Sequence, residues 1–352
     1  MPLDLLFTLL AAFCGGWILL KVKVPGGMLV GSILGAAALN IAAGSAVMTA
    51  GAKVFAQIAA GAFIGCTVRK EDIREMRRLL KPAVITLSCM LLLNLAVGFA
   101  IYAVGDGLDL VTALFCAVPG GISDIPIIAA DLGASAPQVA VMQFVRLLVG
   151  IGIFPGLIHR ITRGEPSEPV QAETQPPAET EKKKSEKLSS LGLTLAVASA
   201  AGILGKYLGI PAGTLVFAML GVILLKLKGT DTCLPMWLKR FAQLLSGAYI
   251  GCGLNYQDLL EMRHLVLPMV LLLVGYTANC FIVGELLRRF CGMSRRVGML
   301  VATPAGATDM ALISSDLGVD SPDLIVLQII RLTVVVSLFP TVIHLITVGL
   351  AG

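Results

Sequence analysis

Charged residues are scarce in this 352-residue chain, at 14%, whereas hydrophobic residues make up 57%. This balance excludes an ordinary soluble domain. Histidine occurs only three times, and the eight cysteines include no CxxC pair. The lack of clustered ligands argues against a disulfide framework or a metal centre. The net charge of +5 lies in short loops between apolar runs, so it does not indicate a nucleic-acid partner.

Long apolar runs fill most of the chain, and runs of about 18–25 residues can cross a bilayer as helices. The first half contains such runs at 3–20, 26–43, 52–68, 82–104, 110–131 and 138–159. The second half contains them at 190–206, 212–227, 237–254, 267–288, 297–316 and 323–346. These runs predict an all-α polytopic membrane protein.

The two halves of the chain repeat each other. Residues 117–159 and 302–344 align without a gap at an offset of 185, with 18 identities in 43 positions. Shorter stretches, such as 55–66 and 241–252, match at an offset of 186. Each half is therefore a structural unit of its own.

The repeat sets the expected domain boundaries. Between the halves lies a stretch rich in Pro, Glu and Lys that cannot bury a core. We expect a first membrane repeat at 1–162, a flexible linker at 163–188 and a second membrane repeat at 189–352.

Loop charges predict how the halves are oriented. If the fifth run of each half enters the membrane and returns, each half has five crossings and the halves are inverted. One set of loops then carries 16 Lys and Arg residues and the opposite set carries 3. Six full crossings per half would instead give 10 and 9. Because cytoplasmic loops carry the basic excess, the inverted arrangement is favoured.

The predicted fold is therefore two inverted repeats of about five transmembrane helices, each with a broken or re-entrant segment. We expect a multi-pass protein of the bacterial cytoplasmic (inner) membrane. The linker would be cytoplasmic and both termini would lie outside. The basic amphipathic stretch at 69–81 is expected to lie on the lipid surface.

Each half carries a helix-breaking sequence inside an apolar run, at 119–121 and again at 304–306. Irregular backbone at membrane depth is tolerated where it is buried in protein or lines a cavity. Interruptions at corresponding positions of two inverted halves indicate a transport site. The Ser-Asp or Thr-Asp after each break would begin a half-helix, whose free N–H groups suit an anion.

The candidate substrate- and ion-binding residues are the break, the Ser/Thr-Asp after it and the Gln-x-x-Arg pair of the next helix. They are Gly120, Gly121, Ser123, Asp124, Gln143, Arg146, Ala305, Gly306, Thr308, Asp309, Gln328 and Arg331. An arginine far inside an apolar span needs a partner or a cavity. Gln57 and Gln243, on another repeated helix, are weaker candidates.

A structural interpretation stays open beside the functional one. Asp124 suits a helix N-cap, and the pairs Asp124–Arg146 and Asp309–Arg331 could be static ion pairs. Glycine stripes, such as Gly61/Gly65 and its copy Gly247/Gly251, predict either helix packing faces or close approach to a ligand. Small-residue faces of this kind are also compatible with a homodimer.

Two hexapeptides, PGGISD at 119–124 and PAGATD at 304–309, are each followed by DLG and a QxxR helix. Together with the paired GA[FY]IGC segments, they resemble the AbrB duplication family of bacterial membrane proteins. The resemblance covers both halves and implies a link to regulation of gene expression; the family also carries the name of an ammonia monooxygenase. More loosely, the arrangement is similar to bile-acid/sodium symporters and cation/proton antiporters, which have inverted five-helix repeats with broken helices.

Three functions compete. The inverted repeat favours a secondary transporter of a small solute, anions included, coupled to protons or Na⁺. The resemblance implies a membrane regulator or sensor that affects gene expression, directly or through a transported metabolite. A monooxygenase is disfavoured, because the sequence has no HxxxH and only a single Glu-x-x-His, at 261–264, without a second copy to pair with it. We therefore expect no enzyme activity, no cofactor and no metal, with the bilayer and a small solute or ion as partners.

Overall fold

The fold is entirely helical across the part of the chain that the structure describes. This computed structural model describes residues 2–24, 26–68, 70–105, 107–162, 184–230, 232, 234–303 and 322–351. In these ranges, six helices are long and apolar enough to cross a membrane, and three shorter apolar helices accompany them. Most of the linker and the whole second break therefore lie outside the described residues.

The helices of the first repeat are α1 (Pro2–Lys21), α2 (Gly27–Ala43), α3 (Ala50–Thr67), α4 (Lys70–Val104), α5 (Leu110–Cys116), α6 (Ile125–Asp131), α7 (Ala136–Gly152) and α8 (Phe154–Ile161). Those of the second repeat are α9 (Lys184–Tyr207), α10 (Gly213–Leu227), α11 (Met236–Cys252), α12 (Tyr256–Glu261), α13 (Val266–Cys291), α14 (Arg295–Ala302) and α15 (Pro322–Ala351). A 3₁₀ turn, Met262–Leu265, joins α12 to α13. By sequence alignment α3 corresponds to α11, α5 to α14 and α7 to the start of α15.

Large apolar side chains cover the outer faces of the helices. On α1, the side chains Leu3, Leu6, Leu10, Phe13 and Trp17 are 47–63% exposed. Such a continuous apolar face needs a lipid environment rather than water. The protein is a polytopic membrane protein, as predicted.

The predicted surface helix at 69–81 is wrong, because α4 continues without interruption from Lys70 to Val104. Its 35 residues span about 52 Å, which exceeds the hydrocarbon core of about 30 Å. Two basic side chains near its start reach the second repeat: Arg78 pairs with Asp323, and Lys81 Nζ donates to the carbonyl of Phe290 at 2.6 Å. These contacts favour a helix that projects beyond the membrane.

Equivalent helices of the two repeats pack antiparallel, which establishes that the repeats are inverted. The ammonium of Lys53, at the start of α3, lies 5.2 Å from the ring of Tyr249 near the end of α11. The ammonium of Lys239, at the start of α11, lies 4.2 Å from the ring of Phe63 near the end of α3. Two copies that cross antiparallel are related by a two-fold axis perpendicular to the helices. In a membrane, that axis lies in the bilayer plane.

Glycine stripes pack helices of one repeat against the other. A Cβ atom at Gly247 of α11 would lie 2.7 Å from the carbonyl oxygen of Leu29 in α2. A Cβ atom at Gly61 of α3 would overlap the carbonyl oxygen of Leu215 in α10 and lie 3.1 Å from Ala218 Cβ. The packing interpretation of these stripes is therefore confirmed.

The fifth run of the first repeat is a re-entrant segment. α5 begins at an Asp109 cap, whose carboxylate accepts from Thr112 N–H at 3.0 Å. After α6 the chain returns to this same point, where Ser135 N–H donates to Thr112 Oγ1 at 2.8 Å. Gly133, with φ of +81°, ends α6 as predicted for a glycine beyond a helix C-terminus. The segment therefore enters, breaks at 117–124 and returns to the side it came from.

Candidate functional site

The Gln-x-x-Arg pair of α7 caps the open end of α5. Gln143 Nε2 donates to the carbonyl oxygens of Phe115 and Val118, at 3.2 and 3.0 Å. Arg146 donates to Val118 O at 2.8 Å through Nη1 and to Gly120 O through Nη2. The last carbonyls of a helix have no donors of their own within the helix. The pair therefore satisfies the backbone exactly where the helix is interrupted.

The second repeat uses the same residues for the same purpose. Gln328 Nε2 donates to the carbonyl oxygen of Leu300 at 3.1 Å. Arg331 Nη1 donates to Thr303 O at 2.6 Å and to Val301 O at 3.3 Å. All four side chains of the two pairs are buried, none more than 6% exposed. Each repeat thus places an arginine and a glutamine at the carbonyl-rich end of a short helix, α5 in the first and α14 in the second.

The predicted Asp124–Arg146 ion pair is wrong, because Arg146 directs its Nη donors to backbone carbonyls instead. Asp124 does sit at the N-cap position of α6, but its side chain makes no capping hydrogen bond. Gly121 leaves room for it, since a Cβ there would collide with the Asp124 carboxylate. The alternative pair Asp309–Arg331 falls partly outside the described residues, at Asp309.

A cavity of about 300 Å³ opens at the first break. Its polar lining comes from the break at 119–124, from Arg146 and from Thr67, Lys239, Gln243, Ser246, Gln328 and Arg331. Apolar residues of α3 and α11 line it as well. Among the described lining residues, three cationic side chains face one carboxylate, that of Asp124.

Most of the predicted site residues meet at this cavity. Gly120, Gly121, Ser123, Asp124, Arg146, Gln328 and Arg331 all line it. Gln143 stands behind the break as a backbone cap. The predicted residues Ala305, Gly306, Thr308 and Asp309 lie outside the part of the chain that the structure describes.

A clamp on the last residue of α6 escaped prediction. Lys53 Nζ lies 2.6 Å from Asp131 Oδ1, and Gln57 Nε2 donates to the other oxygen, Oδ2. Neither Asp131 nor Lys53 is among the residues predicted for the site. Lys53 lies in the first turn of α3, which begins at Ala50.

The sequence could have indicated this clamp, because the Lys-x-x-x-Gln pattern of 53–57 recurs at 239–243 on α11. Lys239 lies in the first turn of α11, which begins at Met236. There Gln243 Nε2 donates to Ser123 Oγ, in the first break, at 3.0 Å. The two glutamines thus hold the segment around α6 from both ends.

Two further side chains bind the end of α5 and the start of the break. Tyr276 Oη donates to Ala117 O at 2.9 Å, and Asn94 Nδ2 donates to Leu114 O at 2.9 Å. The equivalent of Asn94 is Cys280, whose thiol donates to Met299 O at 3.1 Å, so this contact recurs with a different side chain. The equivalent of Tyr276 is Met90, so repeat symmetry gave no signal for Tyr276.

The fold and the cavity define a class: polytopic α-helical membrane proteins built from two inverted repeats, with a polar cavity at an interrupted helix. The family described as "Transition state regulatory protein AbrB" matches residues 1–106 and 48–347. The chain belongs to this AbrB family, which confirms the resemblance drawn from the break sequences.

Two relatives are similar along much of the chain. "Putative regulator AbrB" of Escherichia coli (strain K12) is 27% identical over 281 residues, which cover 78% of each protein. "Uncharacterized protein YhjN" of Bacillus subtilis (strain 168) is 28% identical over 240 residues. That alignment covers 66% of this chain and 62% of the Bacillus protein, under two thirds of its length.

Proposed function

We propose that this protein is a secondary transporter of a small anionic solute, coupled to a proton or a cation, with its site at the first break. The observation that carries the proposal is the pair of cationic side chains, Arg146 and Lys239, that line the cavity beside Asp124, the one carboxylate among its described lining residues. Excess positive charge away from bulk water favours a bound anion. Inverted repeats with interrupted helices supply the two related halves that alternating access uses.

Arg146 supplies the most direct contact for such a solute. Its Nη atoms are engaged by the break, but its Nε–H is buried and has no hydrogen-bond acceptor among the described residues. A buried donor left without an acceptor costs about 1–3 kcal/mol. Because the Arg146 side chain also lines the cavity, its positive charge attracts a solute carboxylate or phosphate bound there.

Asp124 provides a physical reason for coupling. Its carboxylate lines the same cavity as Arg146 and Lys239, so in its charged form it repels an entering anion. A proton or a cation bound at Asp124 removes that repulsion, and by linkage the anion strengthens proton or cation binding equally. The solute and the coupling ion are therefore expected to bind together.

This coupling has a pH signature. In the absence of Na⁺, the affinity for the anion should fall as pH rises, because Asp124 loses its proton. In Asp124→Asn the affinity should not depend on pH over the same range. Titration calorimetry at several pH values measures both. An unchanged pH dependence in Asp124→Asn would remove Asp124 from the coupling.

We further propose that the membrane is the bacterial inner membrane, with the linker cytoplasmic and both termini outside. The support is the basic excess, 16 Lys and Arg against 3, on the loops that an inverted arrangement places together. In a cysteine-free background, Ser167→Cys in the linker should resist impermeant maleimide in intact cells and react after permeabilisation. Labelling of intact cells would reverse the proposed orientation.

Regulation of gene expression is a second candidate, favoured by the family description and by the name of the Escherichia coli relative. A transporter can produce such an effect by changing a metabolite pool. A transport-deficient Arg146→Lys chain, expressed at the normal level, should then also lose the transcriptional effect. A transcriptional effect that survives the loss of transport would favour direct regulation.

A thermal-stability screen of the purified protein tests the anion site. A ligand that binds only the native state raises its stability by about 2.7 kcal/mol at 100 times its dissociation constant. Acetate, succinate, glutamate, phosphate and ammonium should be compared with and without Na⁺. We expect stabilisation by at least one anion, lost in Arg146→Lys and retained in the surface control Glu285→Gln. Stabilisation by ammonium alone would contradict an anionic solute.

A further inference from the structure

We propose that Lys239 and Gln243 form a carboxylate-binding clamp in the cavity, so that the solute is a small carboxylate. This inference rests on the proposed transport function and narrows its substrate class. The equivalent clamp in the other repeat already holds a carboxylate, that of Asp131.

Lys53 and Gln57 show what this pair of side chains does. They lie one helical turn apart on α3, and they hold the two oxygens of a single carboxylate, that of Asp131. The lysine pairs with Oδ1 at 2.6 Å, while the glutamine amide donates to Oδ2. A cation on one oxygen and an N–H on the other recognise the two-oxygen shape as well as the charge.

Lys239 and Gln243 reproduce this arrangement on α11. They occupy the equivalent positions, each offset by 186, with the same spacing of four residues. Their surroundings match too, because Lys239 lies over the ring of Phe63 as Lys53 lies over the ring of Tyr249. Residues four apart share a helix face, and both members of this pair line the cavity.

The two clamps differ in what they hold. Lys53 is paired with Asp131. Among the described residues, Lys239 has no carboxylate within ion-pair distance, although the charge of Asp124 is near enough to act on it. Gln243 donates to Ser123 Oγ, and its amide carries a second N–H. A cation at the edge of an apolar interior calls for a counter-ion, and a carboxylate solute provides one.

The Arg146 side chain also lines this cavity. A small carboxylate seated between α11 and the break can therefore meet Lys239 and Gln243 on one side and Arg146 on the other. Neutral amides of the same shape would lose the charge interaction. The cavity should thus distinguish succinate from succinamide, which differ only in the two carboxylates.

The test measures succinate binding to the purified full-length protein in detergent, with succinamide as the uncharged match. Lys239→Gln should weaken succinate binding about 10- to 100-fold, the loss of one charge-assisted contact. The control Lys53→Gln/Asp131→Asn removes the other clamp without leaving an unpaired charge. We expect it to change the dissociation constant for succinate by less than about threefold.

Three outcomes would overturn the clamp. One is unchanged succinate affinity in Lys239→Gln, a result that would not contradict the proposed anion transporter. Another is wild-type protein that binds phosphate but neither succinate nor acetate, which keeps an anion site and removes the carboxylate class. The third outcome is evidence that Lys239 has a partner within the chain. If Asp316→Asn lowers stability as Asp131→Asn does, and the exchange Lys239→Asp/Asp316→Lys restores it, Lys239 pairs with a carboxylate of the protein rather than with a solute.

Discussion

The two repeats agree at their breaks and diverge beside them. In both, a glutamine and an arginine three residues apart donate to the carbonyl end of an interrupted helix. In contrast, the repeated Lys-x-x-x-Gln turn holds Asp131 in the first repeat and faces the cavity in the second. The backbone contacts of the two Gln-x-x-Arg pairs are therefore alike in both copies. The Lys-x-x-x-Gln pair has different surroundings in the two copies, and this difference indicates where a solute would bind.

The comparison also separates two kinds of buried arginine contact. The guanidinium groups of Arg146 and Arg331 satisfy backbone that the break leaves without donors. That role needs no solute, so it should show in stability. A role in binding should show in affinity as well. Substitutions at the breaks and at the helix crossings can test the agreement between the repeats.

The largest loss of stability is expected from Arg146→Ala or Arg331→Ala. Each change leaves buried carbonyls without donors, at a cost of about 3 kcal/mol. Because the two arginines make equivalent contacts with their breaks, the two variants should lose similar amounts. Chemical unfolding in detergent measures this, with the exposed Arg160→Ala as control. If only one variant is destabilised, the two breaks are not equivalent.

A smaller loss, about 2 kcal/mol, is expected from Gly61→Ala, where the added methyl meets the Leu215 carbonyl of the other repeat. Gly192→Ala is the matched control, since a Cβ on this exposed residue of α9 has nothing within 4 Å. It should be neutral or raise stability by up to about 1 kcal/mol. Equal melting temperatures for the two variants would argue against close α3–α10 packing.

The smallest effect concerns the contact that only the first repeat has. Tyr276→Phe removes the hydrogen bond to Ala117 O and should cost about 1 kcal/mol. Tyr207→Phe, at a position that is 86% exposed, should cost nothing measurable. A loss as large as that of Arg146→Ala would mean that Tyr276, rather than the repeated pair, holds the break.

Much of this fold could be predicted from the sequence because the duplication presents each informative pattern twice. Two copies of a Pro-Gly break and two opposite loop charges were enough for inverted repeats with interrupted segments. The partner of Arg146 could not be predicted, since backbone carbonyls leave no trace in side-chain identity. Lys239 was missed because a lysine near the edge of the predicted run 237–254 carries no sign of whether it faces a loop or the cavity between the repeats.

The most direct test of the account is accumulation of labelled succinate by proteoliposomes under an inward proton or Na⁺ gradient. The account predicts gradient-driven accumulation by the wild-type protein. It also predicts that Asp124→Asn exchanges succinate across the membrane but no longer accumulates it, because the coupling ion has lost its carboxylate. Wild-type uptake of succinate, acetate, glutamate and phosphate no higher than in protein-free liposomes, under either gradient, would contradict the account.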